Sequence, residues 1–270
     1  MPAHPLWASA AGVAAVVVLA TALVARTDGS EARPRAPVPV DLDFEAATLP
    51  TPQRPAFDLG RVAPLPTAQT PTRWAPVLET VSARARPSED ASVVGVLDPR
   101  TSLGTTNIVL VVGRMRVHRR LWVRVQFPGL PNNLSGWLPR ETLGGYHFVR
   151  TRFVVDLGAL SAALIRDGRP IFRAAVGVGA EKFPTPRGSF YVREKLTSFD
   201  NPFYGPVAFG TSARSGVLTD WPDGGSIGIH GTNRPDLLPG RVSHGCIRMR
   251  NEDILRLSQL MPVGTPVTIT

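Results

Sequence analysis

From Trp74 to the C-terminus the apolar residues come in runs of strand length. "SVVGVLD", "NIVLVVG", "LWVRVQF" and "SGWLPRE" are rich in Val, Leu and Trp and are separated by Gly, Pro and Asn. "RFVVDLG", "GSFYVREKL" and "SIGIH" continue the pattern. Such segments fit a pleated, half-buried surface and are too short for stable helices. Inside "SAALIRDGRPIFRAAVGVG", Arg166-Asp167-Gly168-Arg169 predicts a hairpin turn, because Asp-Gly supplies the positive φ angles such a turn needs. One helix is expected near the end. Asn251 caps it, Glu252 and Asp253 occupy its first turn, and Ile254, Leu255, Leu257 and Leu260 face the core. Pro262-Val263-Gly264 then stops it before a last strand, "PVTIT". The expectation is a mainly β chain with few short helices: a small barrel over 73–145, then a second domain over 146–270.

The first seventy residues are of another kind. Residues 6–25, "LWASAAGVAAVVVLATALVA", carry no charge and are long enough to span a bilayer as a helix. Residues 1–29 therefore read as a transmembrane signal anchor or a signal peptide. Ala20-Thr21-Ala22 is a weak cleavage candidate, and no Lys or Arg precedes the run. Residues 30–72 are a proline-rich linker. Of thirty basic residues only Lys182 and Lys195 are lysine, and the arginines are scattered rather than gathered in one tract, so nucleic acid is not an expected partner. A net charge of +9 favours an anionic neighbour such as phospholipid, a phosphate-bearing wall polymer or a carboxylate-rich substrate; arginine preference from a G+C-rich genome is the competing explanation. The single cysteine allows no internal disulfide.

That cysteine lies in "SIGIHGTNRPDLLPGRVSHGCIRMRNEDI". A lone cysteine is ordinarily a small buried hydrophobe, but Cys246 follows Ser243, His244 and Gly245 rather than sitting in a Val/Ile/Leu strand. Gly245 lets the backbone take conformations closed to other residues. His230 ends an apolar strand sixteen positions earlier, and the loop between, with two prolines and Gly240, can return the chain so that the next strand starts beside it. A thiol beside an imidazole loses its proton more readily, and backbone N–H groups around Gly245 and Cys246 can hold an oxyanion. The remaining histidines carry less. His118 sits among Arg114, Arg116, Arg119 and Arg120 in a basic hairpin loop, His147 lies at the domain junction, and His4 precedes the apolar run. "VGVG" is not a nucleotide loop, since Lys182 stands where a third glycine should.

His230-Gly231-Thr232 and Ser243-His244-Gly245-Cys246-Ile247-Arg248-Met249, with Asn251 and Asp253, resemble the active-site signature of the L,D-transpeptidases, the penicillin-independent peptidoglycan cross-linking enzymes. The similarity runs over about 152–270, where "FPTPRGSFYV" also looks like the Thr-Pro-x-Gly-x-Phe segment of that domain. It implies a β-sandwich-like catalytic domain needing no cofactor or metal. Cys246 would be the nucleophile, His230 its base oriented by the Gly231 carbonyl, and His244 a second histidine of the pocket. Arg248 would bind a substrate carboxylate, with Gly231, Ser243 and Gly245 lining the substrate. The implied reaction joins the third residues of stem peptides through a thioester and releases terminal D-alanine; water in place of the acceptor amine gives an L,D-carboxypeptidase. "ARARPSEDASVVGVL", "LWVRVQF" and "SGWLPRETL" resemble the bacterial SH3-like domains appended to cell-wall enzymes, an unspecialised spacer barrel being the alternative. A sortase-like enzyme, a metal site built from Cys246, His244 and His230, and a non-catalytic wall-binding module are the competing readings. The expected setting is the cell envelope: a monomer anchored in the membrane with its catalytic domain outside. Arg26, Arg33 and Arg35 after the apolar run argue for the opposite orientation, but large C-terminal domains translocate despite such biases.

Overall fold

The computed structural model describes residues 63–64, 71–197, 202–219 and 225–270. The apolar run 6–25 and almost all of the linker lie outside them, as do parts of the stretch "TSFDNPFYGPVAFGTSARSGVLTDWPDGG", in which a family lid would fall.

The first sheet is built from β1 (Ala63–Pro64), β2 (Thr72–Pro76), β3 (Val81–Arg84), β4 (Val93–Leu97), β5 (Ile108–Val117), β6 (Arg120–Gln126), β7 (Ser135–Pro139) and β8 (His147–Val149). Its order is β4-β3-β7-β6-β5-β2-β8, with β1 beside β5. Ala75, Ala83, Val109, Val111, Val123, Val125 and Leu138 fill its core, mostly small or β-branched residues that pack tightly on a pleated face. The β5–β6 hairpin turns through His118 and Arg119, at φ 45° and 70°, so His118 is an exposed turn residue. β8 completes this sheet by pairing with β2, and His147 stacks on Trp74 at 4.1 Å.

The second sheet comprises β9 (Thr151–Asp156), β10 (Ser161–Arg166), β11 (Arg169–Ala175), β12 (Gly177–Gly179), β13 (Gly188–Leu196), β14 (Ala208–Arg214), β15 (Ser226–His230), β16 (Gly240–Ser243), β17 (Ile247–Arg248) and β18 (Pro266–Ile269). The order is β11-β10-β9-β18-β13-β14-β15-β17-β12-β16. β13 joins its two halves, pairing through Tyr191 with β18 and from Val192 with β14, in a ladder whose register shifts between Val192 and Glu194. The halves share one core, in which Phe153, Leu164 and Phe190 from one side meet Phe209, Ile229 and Ile247 from the other. The expected hairpin is present, with Asp167 and Gly168 at φ 49° and 79°.

Helix α1 (Asn251–Leu260) differs from expectation at two residues. Arg250, not Asn251, occupies the N-cap position, and no side chain caps the helix. Leu255 faces solvent at 45% exposure, because Ile254, Leu257 and Met261 already form the i, i+3, i+7 stripe that meets the core.

The two sheets meet along β13. The fully buried Tyr191 donates its hydroxyl to the Ile108 carbonyl at 2.9 Å, and Gln126 Nε2 donates to the Ser189 carbonyl at 2.6 Å. Asn132 both donates to Arg214 O at 2.8 Å and accepts from Arg214 N at 2.9 Å. Gly264, at φ +81°, admits the Trp74 ring where any Cβ would collide with it.

Candidate active site

Strand alternation assembles the site. Ile227 and Ile229 of β15 and Ile247 of β17 point into the core, so Gly228 and His230, together with Cys246 and Arg248, take the opposite face. β15 and β17 are parallel neighbours, with Ile229 opposite Ile247 and His230 opposite Arg248. The chain between His230 and Cys246 does return to β15, but the next strand in sequence, β16, lies on β12 at the sheet edge, and it is the following strand, β17, that sits beside β15. A methyl group placed on Gly228 would stand 4.0 Å from both Cys246 Sγ and His230 Cδ2. Gly228 N–H donates to Sγ at 3.4 Å.

His230 is fixed by its own loop. Its Nδ1 lies 2.6 Å from the Gly231 carbonyl, which can only accept, so Nδ1 carries the proton and Nε2 the lone pair. Nε2 is buried with no hydrogen-bond partner among the described residues. Asn251 Oδ1 accepts from Thr232 N at 2.9 Å, which secures the loop carrying that carbonyl and explains why Asn251 does not cap its helix. Phe203 and Tyr204, in the turn Pro202–Tyr204, bring their rings to 5.9 and 5.1 Å from His230.

The cysteine turn is held from beneath. Ser243 Oγ donates to Cys246 O at 2.5 Å and accepts from Gly245 N at 3.1 Å. Gly245 adopts φ +111°, and a Cβ there would press on Ile227 at 2.8 Å. The Gly245 carbonyl accepts from Thr185 Oγ1 at 2.7 Å, and Thr185 Oγ1 in turn accepts from Gly179 N at 2.8 Å.

A family model of the L,D-transpeptidase catalytic domain matches residues 150–269. The putative L,D-transpeptidase YkuD of Bacillus subtilis is 32% identical over 145 residues, covering 54% of this chain and 73% of the relative. The chain belongs to the L,D-transpeptidase family. The putative L,D-transpeptidase YqjB of the same organism is 37% identical over 125 residues, 43% of this chain and 69% of its own. A solved L,D-transpeptidase from Mycobacterium smegmatis is 17% identical, covers 57% of this chain and 92% of that one, and has a TM-score of 0.37, a likeness too partial to add to the assignment.

Within this L,D-transpeptidase domain, His230, His244, Cys246 and Arg248 line one pocket together with Phe203 and Tyr204. The His244 ring lies against Phe183, tilted by 37°, with ring centroids 4.6 Å apart. The Arg248 guanidinium lies 4.4 Å over the Phe203 ring, and its Nε is buried without a hydrogen-bond partner among the described residues. Ser243 and Gly245, expected at the substrate, are buried and bonded within the turn; the Gly245 N–H is engaged by Ser243 and does not point free toward an oxyanion. Among the described residues no three His, Cys, Asp or Glu side chains are placed to hold a metal ion.

The electrostatics differ from the simple expectation of an activated thiol. Burial pushes the Cys246 thiol up, against the Gly228 N–H and the Arg248 charge, which favour the thiolate. Burial also pulls His230 down to about 4, assisted by Arg248 and opposed by the Gly231 carbonyl. At neutral pH the resting pair is a thiol beside a neutral imidazole. Such a pair moves its proton during attack rather than before it.

Phe203 and Tyr204 carry no signal in the sequence, and Asn251, part of the resembling signature, has its bond to Thr232 N as an unforeseen role. Thr185 lies in the quoted "FPTPRG" segment, but its partner at Gly245 is sixty residues away.

Proposed function

We propose that this chain is a peptidoglycan L,D-transpeptidase that cross-links stem peptides through a thioester on Cys246. The observation that carries this reading is the His230 imidazole, its proton held at Nδ1 by Gly231 and its lone pair at Nε2 unpartnered on the face that carries the thiol. Arg248 takes a substrate carboxylate, and His244 lines the same pocket. As Sγ attacks the carbonyl of the third stem residue, Nε2 accepts the thiol proton and the Cys246 N–H meets the oxyanion. Collapse breaks the peptide bond, the departing D-alanine amine takes the proton from His230, and a thioester remains. The amine of a second stem then attacks, loses its proton to His230 and releases the thiol.

In the same reading residues 6–25 anchor the protein in the membrane with the catalytic domain exported, the linker gives reach, and the first sheet is an SH3-like module of a monomeric envelope enzyme. Mass spectrometry of the protein mixed with a disaccharide-tetrapeptide tests the reaction. A cross-linked dimer that has lost one D-alanine is expected; tripeptide alone would mean hydrolysis, and unchanged substrate would overturn the assignment.

A further inference from the structure

Among the described residues away from the site, Arg193 is a buried cation with no carboxylate bonded to it. β13 bulges between Val192 and Glu194, just past the point where it leaves β18 and takes up β14. A bulge re-aims side chains that regular alternation would separate. Here Arg193 and Glu194 both line a solvent-open cavity of about 330 Å³ between the two sheets. Trp74, Thr106, Ile108 and His147 complete its walls.

Arg193 is 8% exposed. Its only polar partner among the described residues is Asn107 Oδ1, a neutral acceptor at 3.3 Å, and its Nε is buried with no hydrogen-bond partner. No carboxylate among the described residues comes within 4.0 Å of it. The adjacent Glu194 is turned to the first sheet, where Thr101 and Thr105 donate to its Oε2 at 3.1 and 2.5 Å. A buried guanidinium facing only a neutral amide is costly, and the cost is relieved by an anion that bonds to it in the cavity. Lys195 on the same wall leaves the lining net positive, while Trp74, Ile108 and Val263 give an apolar surface beside the charge.

We propose that this junction cavity is a second binding site, one that takes the terminal carboxylate of a short peptide, with Arg193 on the carboxylate and the Trp74–Ile108 wall against the neighbouring methyl group. Arginine is suited to a carboxylate by its fork of donors. That the natural source is a peptidoglycan stem ending in D-alanine rests on the proposed function; recognition of the carboxylate does not.

The test is a titration of the full chain, followed by NMR, with N-acetyl-D-alanine, N-acetyl-D-alaninamide and inorganic phosphate. The Trp74 indole signal, assigned through Trp74→Phe, and the His147 ring report on the cavity, and the His230 ring on the catalytic pocket. The acid is expected to shift Trp74 and His147 saturably, the amide and phosphate far more weakly. Arg193→Gln should raise the Kd about tenfold or more. Thr106→Trp, at the exposed rim, should block binding without disturbing a buried group. Equal shifts from acid and amide, phosphate binding as tightly as the acid, shifts confined to His230, or an unchanged Kd in Thr106→Trp would each overturn the site. Binding at Trp74 in a protein that turns over no stem peptide would sink the proposed function and leave the carboxylate site standing.

Discussion

His230 sets the sharpest expectations at the scale of single residues. Its imidazole is held near pKa 4 in the fold and returns toward 6.5 when unfolded. Above 6.5 neither state binds the proton; as pH falls from 6.5 to 4 the unfolded chain binds it first, so the folded state loses up to about 3 kcal/mol over that window. Urea midpoints at pH 7 and 4.5 should diverge in the parent, and less so in His230→Gln. For the same reason the acylation rate should show no inflection near 6.5, and its acid limb should lie near 4; a limb at 6.5 would mean that burial does not depress the imidazole. Cys246→Ala should abolish acylation and fold normally, as judged by intact mass after carbapenem treatment and by a thermal melt. His230→Ala should slow iodoacetamide labelling on the order of a hundredfold, and His244→Ala far less, because His230 presents a buried, unpartnered ring nitrogen on the thiol's face.

Among the elements, the turn that carries Cys246 depends on a residue sixty positions away. Thr185→Val keeps the side-chain volume but leaves the Gly245 carbonyl and the Gly179 N–H unpaired, so a loss of about 2 kcal/mol in stability is expected, with kcat falling more than KM rises. Unchanged kcat would make Thr185 a purely structural residue. This is also where the sequence was least readable. The His230–Cys246 approach was legible because the β15 alternation and a returning loop between two strands specify it. β12 and β17, three and two residues long, carry no period to recognise. Asn251 was read as a helix cap because its side chain favours that position, yet a tertiary bond to Thr232 N overrides the preference. Leu255 faces solvent although apolar, since Ile254, Leu255, Leu257 and Leu260 crowd one helix of which only a narrow stripe meets the sheet.

For the whole molecule, the contacts along β13 make the first sheet part of the stability of the second. Tyr191→Phe should cost about 1 kcal/mol by orphaning the Ile108 carbonyl. A chain beginning at residue 150 would expose Tyr191 and give up the bonds from Gln126, Asn132 and the two threonines, so it should melt well below the chain beginning at residue 71. Equal melting temperatures would show the first sheet to be only a spacer. The parallel pairing of β15 with β17 has a further consequence for what the domain can tolerate. The ladder between them, rather than the loop that joins them, sets the spacing of His230 and Cys246. Residues 233–237 are exposed, and closing a longer loop costs only slowly more entropy. Two or three residues inserted after Asn233 should therefore leave acylation nearly intact, whereas a single residue inserted at Gly228 should silence it: the loop is free to diversify, and the rung is not.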